Sequence, residues 1–186
     1  MIPLGYMLKK VAAAPEWMQA PQVEQVCSLS NHVSEDFAHY VDLWKHNGWW
    51  LFDSPASVEE AAAEKSIGLT GLTLFYYEAF EDEYDEDGKT WSAISPEAGF
   101  VTAVMIPEVK ALMGYDVVTY TVNAAPECSP LSCNALAKDI ATNRFCLLDD
   151  FEQARNLLES GAFDGSEPGP FRIVAVYTPG RKSIVS

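Results

Sequence analysis

The stretch SVEEA at residues 57–61 returns later in the chain as DFEQA at residues 150–154. Each copy begins with a small polar residue that can cap a helix, and each carries Glu or Gln three positions later, a pairing that satisfies free backbone N–H groups. Each copy is followed by a glycine, Gly68 or Gly161, which suits the left-handed turn that ends a helix. The pattern predicts two related helices, one in each half of the chain.

The likeness between the two halves extends outward with gaps. Gly-Tyr occurs at residues 5–6 and again at 114–115, and CSLS at residues 27–30 matches CSPLS at residues 128–132. We therefore expect an α+β fold of internally duplicated strand-helix-helix-strand units, in which amphipathic helices cover a mixed or antiparallel sheet. The expected segments of one compact domain are a first repeat at 1–80, an acidic hairpin with a connecting strand and helix at 81–110, and a second repeat at 111–186.

The composition is that of a folded, acidic protein. Apolar residues make up 48% of the 186 positions, and 27 acidic against 12 basic residues give a formal charge of −15. This charge repels phosphate, so we expect neither nucleic acid nor an anionic membrane surface as a partner. No segment is apolar over the length of a membrane helix, and the start of the chain lacks the apolar run of a secretory signal. We therefore expect a cytoplasmic protein with reduced thiols.

Local patterns predict the elements that would build such a fold. Ser34 can cap a helix that ends at Asn47 and carries apolar residues at helical spacing. Residues 101–106 are apolar and predict a buried strand, and Pro107 can begin a short helix that ends at Gly114. The other predicted elements are strands at 4–11, 69–80, 115–122 and 171–177, and helices that begin within 132–134 and at Asp150.

An acidic segment at residues 78–87 is the sharpest change of composition in the chain. A cationic partner would relieve the repulsion among its carboxylates, so we favour a non-enzymatic protein-binding module, inhibitor-like or immunity-like, that docks a basic protein surface. The simpler interpretation is a solvated hairpin with its turn at Asp87-Gly88. A calcium loop is not favoured, because Ile94 stands where a bidentate Glu is required. The candidate binding residues are Glu78, Glu81, Asp82, Glu83, Tyr84, Asp85, Glu86 and Asp87.

Cys128 and Cys133 support the alternative function, a thiol-dependent enzyme or redox protein. Cys133 is predicted near a helix N-terminus, where backbone donors and the helix dipole stabilise a thiolate. The acidic neighbour Glu127 acts against this, and the C-x4-C spacing is neither that of a redox C-x-x-C motif nor that of paired zinc ligands. In the structural interpretation, both are small residues packed in a tight loop. No general base can be selected, because no histidine is near in sequence.

Three histidines, His32, His39 and His46, recur every seven residues. On the predicted helix, His39 and His46 lie opposite the apolar stripe and two turns apart, so we expect them to face water rather than to bind one metal ion. We therefore predict no metal site and no cofactor. A homo-oligomer, in which paired repeats simply build a surface, is a further alternative for the function.

Overall fold

The computed structural model describes residues 1–39, 47–121 and 125–180. The strands are β1 (Ile2–Lys10), β2 (Ala12–Ala13), β3 (Gln25–Val26), β4 (Glu35–Asp36), β5 (Thr73–Asp85), β6 (Thr90–Ala93), β7 (Lys110–Thr119) and β8 (Phe171–Pro179). Six of them form one sheet in the order β4-β1-β5-β8-β7, with β6 paired to the far end of β5. The other two, β2 and β3, pair separately.

The long central strands are covered on both faces. In β1 the six consecutive residues from Leu4 to Lys9 are buried, and in β8 the six from Phe171 to Val176 are buried. Because neighbouring side chains of a strand point to opposite faces, consecutive burial requires cover on both sides of the sheet. Loops supply part of this cover, since Leu29 and Leu147 are buried in the same core as β1.

The α-helices are α1 (Pro55–Glu64), α2 (Pro130–Cys133) and α3 (Phe151–Glu159), and short 3-10 turns lie at Glu16–Met18 and Leu136–Lys138. Asp150 caps α3 by accepting a hydrogen bond from the backbone N–H of Gln153, so the helix predicted at this position is confirmed. The first helix is capped by Ser54 and begins about one turn before the SVEEA overlay predicts. Within the described ranges, no helix has the length and apolar character needed to cross a membrane.

The predicted fold class is wrong. The sheet is antiparallel, and the three described α-helices, of ten, four and nine residues, are too few and too small to cover it. The strand-helix-helix-strand unit fails for the same reason. Long connecting loops bury their own apolar side chains against the sheet, and that cover is not visible as a helical pattern in the sequence.

Several individual elements also differ from the prediction. Glu35 and Asp36 form β4 against the end of β1 instead of opening a helix, and residues 40–46 of that predicted helix lie outside the described residues. Residues 101–106 are not a buried strand, since Val101 is 85% exposed. The helix predicted from Pro107 is replaced by β7, because pairing with β8 overrides the local preference.

Two glycines mark matching irregularities in β1 and β7. Gly5 and Gly114 lie at register shifts and have φ angles of 131° and 147°. The residue after each glycine exchanges backbone hydrogen bonds with a distant loop, Tyr6 with Phe52 and Tyr115 with Leu148. The loop backbone therefore approaches each glycine closely enough to exclude a side chain.

Substituting Gly114→Ala should reduce the free energy of unfolding by about 1–3 kcal/mol, because a strained φ is combined with a steric clash. The new Cβ would lie 2.6 Å from the Leu148 carbonyl oxygen and 2.8 Å from Leu147 Cβ. Urea unfolding measures the loss. The matched control is Gly68→Ala, whose Cβ would meet nothing within 4 Å. Equal stability of the two variants would show that the backbone at Leu147 and Leu148 leaves room for a side chain at residue 114.

Candidate functional site

Two loops from opposite halves of the chain meet beside β7. We call residues 27–32 the first Cys-Ser loop and residues 128–134 the second Cys-Ser loop. Asp116 of β7 joins them, because its Oδ2 accepts hydrogen bonds from the Leu29 N–H at 2.8 Å and from the Ser129 hydroxyl at 2.7 Å. The Ser132 hydroxyl also donates to Ser28 Oγ at 3.3 Å. The two matching stretches of sequence are therefore in direct contact.

Lys9 of β1 anchors the first Cys-Ser loop through hydrogen bonds to its backbone. Its Nζ donates to the carbonyl oxygens of Leu29 at 2.8 Å and Ser30 at 2.9 Å, and to Asp36 Oδ1 at 2.9 Å. The Lys9 side chain is 0% exposed, and its three acceptors match the three hydrogens of an ammonium group. These contacts hold the chain on both sides of His32, so this residue projects from a fixed loop.

Cys128 and Cys133 are joined by a disulfide, with their Cα atoms 6.3 Å apart. Reduced thiols were the default expectation from the sequence, which left the redox state of this pair open, and the structure joins the two residues. Cys128 is buried at 3% exposure, whereas Cys133 is partly exposed. Asn134 Oδ1 lies 3.3 Å from Cys128 Sγ and 3.1 Å from Cys133 Sγ. The Asn134 Nδ2 donates to Glu167 at 3.0 Å, which turns the amide oxygen towards the sulfurs.

The predicted helix N-terminus near Cys133, which would stabilise a thiolate, is not present. The helix α2 ends at Cys133 instead of beginning near it, and the next residue, Asn134, is its C-cap. A helix C-terminus presents carbonyl oxygens, which do not favour a negative sulfur. Any activation of this thiol must therefore come from another side chain or from a bound cation.

The fold brings the side chain of His32 close to the cysteine pair. One of its ring nitrogens and the sulfurs of Cys128 and Cys133 all lie within 4.8 Å of one another. His32 is exposed, so a molecule at the surface can reach this cluster. His39 is also exposed, and His46 lies outside the described residues. His32 is therefore the described histidine that lies beside the cysteine pair.

The remaining two cysteines are unsuited to redox chemistry. Burial raises the pKa of the Cys27 thiol to about 12, although nearby Lys9 acts in the opposite direction. Burial likewise raises the pKa of the Cys146 thiol to about 12. Because the thiolate is the reactive form, burial and a raised pKa both act against reaction at these two residues at neutral pH.

A small pocket opens beside the first Cys-Ser loop. Leu29, Asn31, Asp36 and Pro126 contribute to its lining, and its volume is about 30 Å³. This space suits a water molecule rather than an organic substrate. The lining of this pocket does not include Cys128, Cys133 or His32.

The acidic segment 78–87 is part of the sheet, and two of its carboxylates have internal cationic partners. Glu78 is paired with Lys110 and accepts a hydrogen bond from the Tyr76 hydroxyl at 3.0 Å. Burial opposes ionisation of Glu78, but these two partners outweigh it, and its pKa is lowered. Glu83 accepts from Arg172 Nε at 2.8 Å. These two carboxylates are occupied within the molecule.

Within the acidic segment, residues 81–85 follow the alternation of a strand, whereas residues 86–87 lie in the turn after β5. Glu81, Asp85 and Asp87 are exposed, Asp82 and Glu86 are partly exposed, and Tyr84 is buried. The predicted hairpin is confirmed by the pairing of β5 with β6. The segment therefore does not form one continuous acidic face. Its role in docking a basic partner stays a prediction.

The sequence identified part of the candidate site and missed the rest. It singled out Cys128 and Cys133, which the fold brings together, but it assigned no role to His32, Lys9 or Asp116. One signal was available for the last two, since each is a charge within a strand that is otherwise strongly apolar. For His32 the signal was its position two residues after the CSLS stretch at residues 27–30. This position points to Cys128 and Cys133 only if the two similar stretches are assumed to be in contact.

Comparison with known proteins finds no match. No protein-family model matches it, and neither a curated protein nor a solved structure does. Its functional interpretation therefore depends on the side chains of the two Cys-Ser loops.

Proposed function

We propose that the protein is a thiol–disulfide redox protein in which Cys128 and Cys133 cycle between dithiol and disulfide. The supporting observation is the position of His32, whose ring nitrogen lies within 4.8 Å of both sulfurs. A base beside a thiol produces the thiolate, and the thiolate is the nucleophile in disulfide exchange. Because His32 is exposed and Cys133 is partly exposed, the reaction partner in this proposal is a small disulfide, such as glutathione disulfide, or an exposed protein disulfide.

The different exposures of the two cysteines support different roles, Cys133 as the attacking thiol and Cys128 as the resolving thiol. Cys133, which is partly exposed, gives its proton to His32 and attacks a sulfur of the partner disulfide, releasing one partner thiolate. Cys128, which is 3% exposed, then loses its proton to water, attacks the Cys133 sulfur in the mixed disulfide and releases the second partner thiolate. The two partner thiolates take up the two protons that the cysteines have lost. Two protein thiols become a disulfide while the partner disulfide becomes two thiols, so atoms and electrons balance.

A purely structural disulfide is less well supported. The two cysteines are separated by only five positions, and closing so short a loop stabilises a fold by about 2 kcal/mol in the chain-entropy model. A cytoplasmic location is part of our proposal, and in that compartment the disulfides that form are usually transient and catalytic or redox-sensing.

Reaction with glutathione disulfide in metal-free buffer tests the assigned roles. Reduced Cys128→Ser should accumulate a mixed disulfide at Cys133, because the thiol that resolves it is missing. Reduced Cys133→Ser should react at least about 10-fold more slowly, since Cys128 is buried. Intact-protein mass spectrometry over time distinguishes the adducts. Equal rates for the two variants would contradict the assignment of attacking and resolving thiols.

The contribution of His32 is tested in the same assay. The substitution His32→Ala should slow formation of the mixed disulfide by about 10-fold or more, as expected when a general base is removed. The matched control is His39→Ala, because His39 is also exposed but is not in the cluster. If both histidine variants react like the wild type, His32 does not activate the cysteine pair.

A further inference from the structure

We propose that the reduced protein binds one zinc-like divalent cation through His32, Cys128 and Cys133. This inference builds on the proposed function, because it requires the same two thiols in their reduced state. The three donor atoms lie within 4.8 Å of one another. In a tetrahedral zinc site, Zn–S and Zn–N bond lengths place neighbouring donor atoms about 3.5–3.8 Å apart. Reduction lets the two sulfurs separate to that spacing while their Cα atoms remain 6.3 Å apart.

The donor set itself selects the class of metal. Two thiolates and one imidazole are soft and borderline ligands, which bind Zn²⁺ in preference to Mg²⁺ or Ca²⁺. Three protein ligands leave a fourth position for water or another oxygen. Asn134 Oδ1, which lies 3.3 Å and 3.1 Å from the two sulfurs, would be a protein oxygen available to fill it.

The surroundings prepare the site before a metal arrives. Glu167 binds the Asn134 Nδ2 at 3.0 Å and so keeps the amide oxygen directed at the sulfurs. Asp116 ties the first Cys-Ser loop to the second, so His32 and the cysteines are held together without any ion. Outer contacts of this kind orient metal ligands and increase affinity. The formal charge of −15 also attracts a cation to the protein.

Metal binding and the disulfide exclude each other, because both use the same sulfur electrons. When an oxidised partner reacts with the metal-bound form, the two thiolates become the Cys128–Cys133 disulfide, the partner disulfide becomes two thiolates, and the divalent cation is released. Oxidation therefore switches the site from metal-bound to metal-free. This coupling distinguishes the site from a permanent structural zinc centre.

Cobalt binding tests the inference, because Co²⁺ in a tetrahedral thiolate site has intense visible bands and a sulfur-to-cobalt charge-transfer band. The full-length protein is reduced, freed of reductant without oxygen and titrated with Co²⁺, and Zn²⁺ is then added to displace it. We expect one Co²⁺ per chain with thiolate charge transfer, displaced by Zn²⁺. The disulfide form should show no such band.

Matched variants identify the ligands. The substitution His32→Ala should weaken Co²⁺ binding by at least about 10-fold, whereas His39→Ala should leave it unchanged. Because His32 is exposed, its loss should not prevent folding. Cys128→Ser and Cys133→Ser should each diminish the charge-transfer band. Equal effects of the two histidine variants, or no thiolate band in the reduced wild type, would overturn the inference.

Failure of the metal site and failure of the redox function can be told apart. If the reduced wild type forms its disulfide with glutathione disulfide in metal-free buffer but shows no cobalt–thiolate band, only the metal inference is lost. If Co²⁺ binds as expected while the two cysteine variants react with glutathione disulfide at equal rates, the metal site stands and the assigned exchange mechanism fails.

Discussion

Replacing Lys9 with Met is expected to lower the free energy of unfolding by about 3–5 kcal/mol, the range found when one partner of a buried ion pair is removed. The Lys9 side chain is 0% exposed and donates three hydrogen bonds, to Leu29, Ser30 and Asp36. Met fills a similar volume, so packing is largely kept, but two carbonyl oxygens lose a donor and Asp36 loses its cation. Urea unfolding at neutral pH measures the change.

The neighbouring residue supplies the control for this prediction. Lys10 follows Lys9 in β1 but is exposed, so Lys10→Met should change stability by no more than about 0.5 kcal/mol. Lys9→Met should also slow disulfide exchange at Cys133, because the loop that carries His32 loses its anchor. Two lysine variants of the same stability would mean that the buried ammonium contributes nothing to the fold.

Asp116 is expected to make the protein less stable as the pH rises from about 4 to about 7. Burial raises the pKa of its carboxyl from 3.8 to about 6, against the opposing effect of hydrogen bonds from Ser129 and Leu29. The folded protein therefore keeps a proton that the unfolded chain releases. This stabilisation is complete below about pH 4, and it is lost as the pH rises through about 6. Its size is about 3 kcal/mol, at 1.36 kcal/mol for each unit of pKa.

Comparison with Asp116→Asn isolates this contribution from the many exposed carboxylates. Asn has nearly the same shape and keeps an oxygen that can accept from Leu29, but it does not titrate. The difference in unfolding free energy between wild type and variant should therefore shift by up to about 3 kcal/mol in favour of the variant between pH 4 and pH 7. A difference that stays constant over this range would show that Asp116 does not titrate there.

Lys9 and Asp116 both hold the candidate site in position. Lys9 fixes the first Cys-Ser loop, and Asp116 joins that loop to the second one. Both are buried charges, whose removal leaves unsatisfied polar groups in the core. They act as positioning residues for His32 and the cysteine pair, because their hydrogen bonds go to the loops and not to the sulfurs.

The sequence predicted best where the signal was local. The helix α3 was found because Asp150 caps it and its apolar residues follow at helical spacing, and β8 was found because its β-branched residues form one short run. The predicted strand at residues 101–106 failed because an apolar run does not show whether another strand will pair with it. The predicted start of the helix at Ser34 was wrong because Glu35 and Asp36 instead pair as β4 with β1.

Taken alone, the amino-acid sequence determined the acidic character of the protein, several strand and helix positions, and the hairpin between β5 and β6, since these depend on composition and on neighbours a few residues apart. Only the tertiary structure decided the strand order, the burial of Lys9 and Asp116, and the meeting of His32 with Cys128 and Cys133. The physical reason is that these contacts join residues far apart in the sequence, within the first half of the chain for Lys9 and across the two halves for Asp116 and His32. No local preference specifies them, and they form only when the sheet brings the two Cys-Ser loops together.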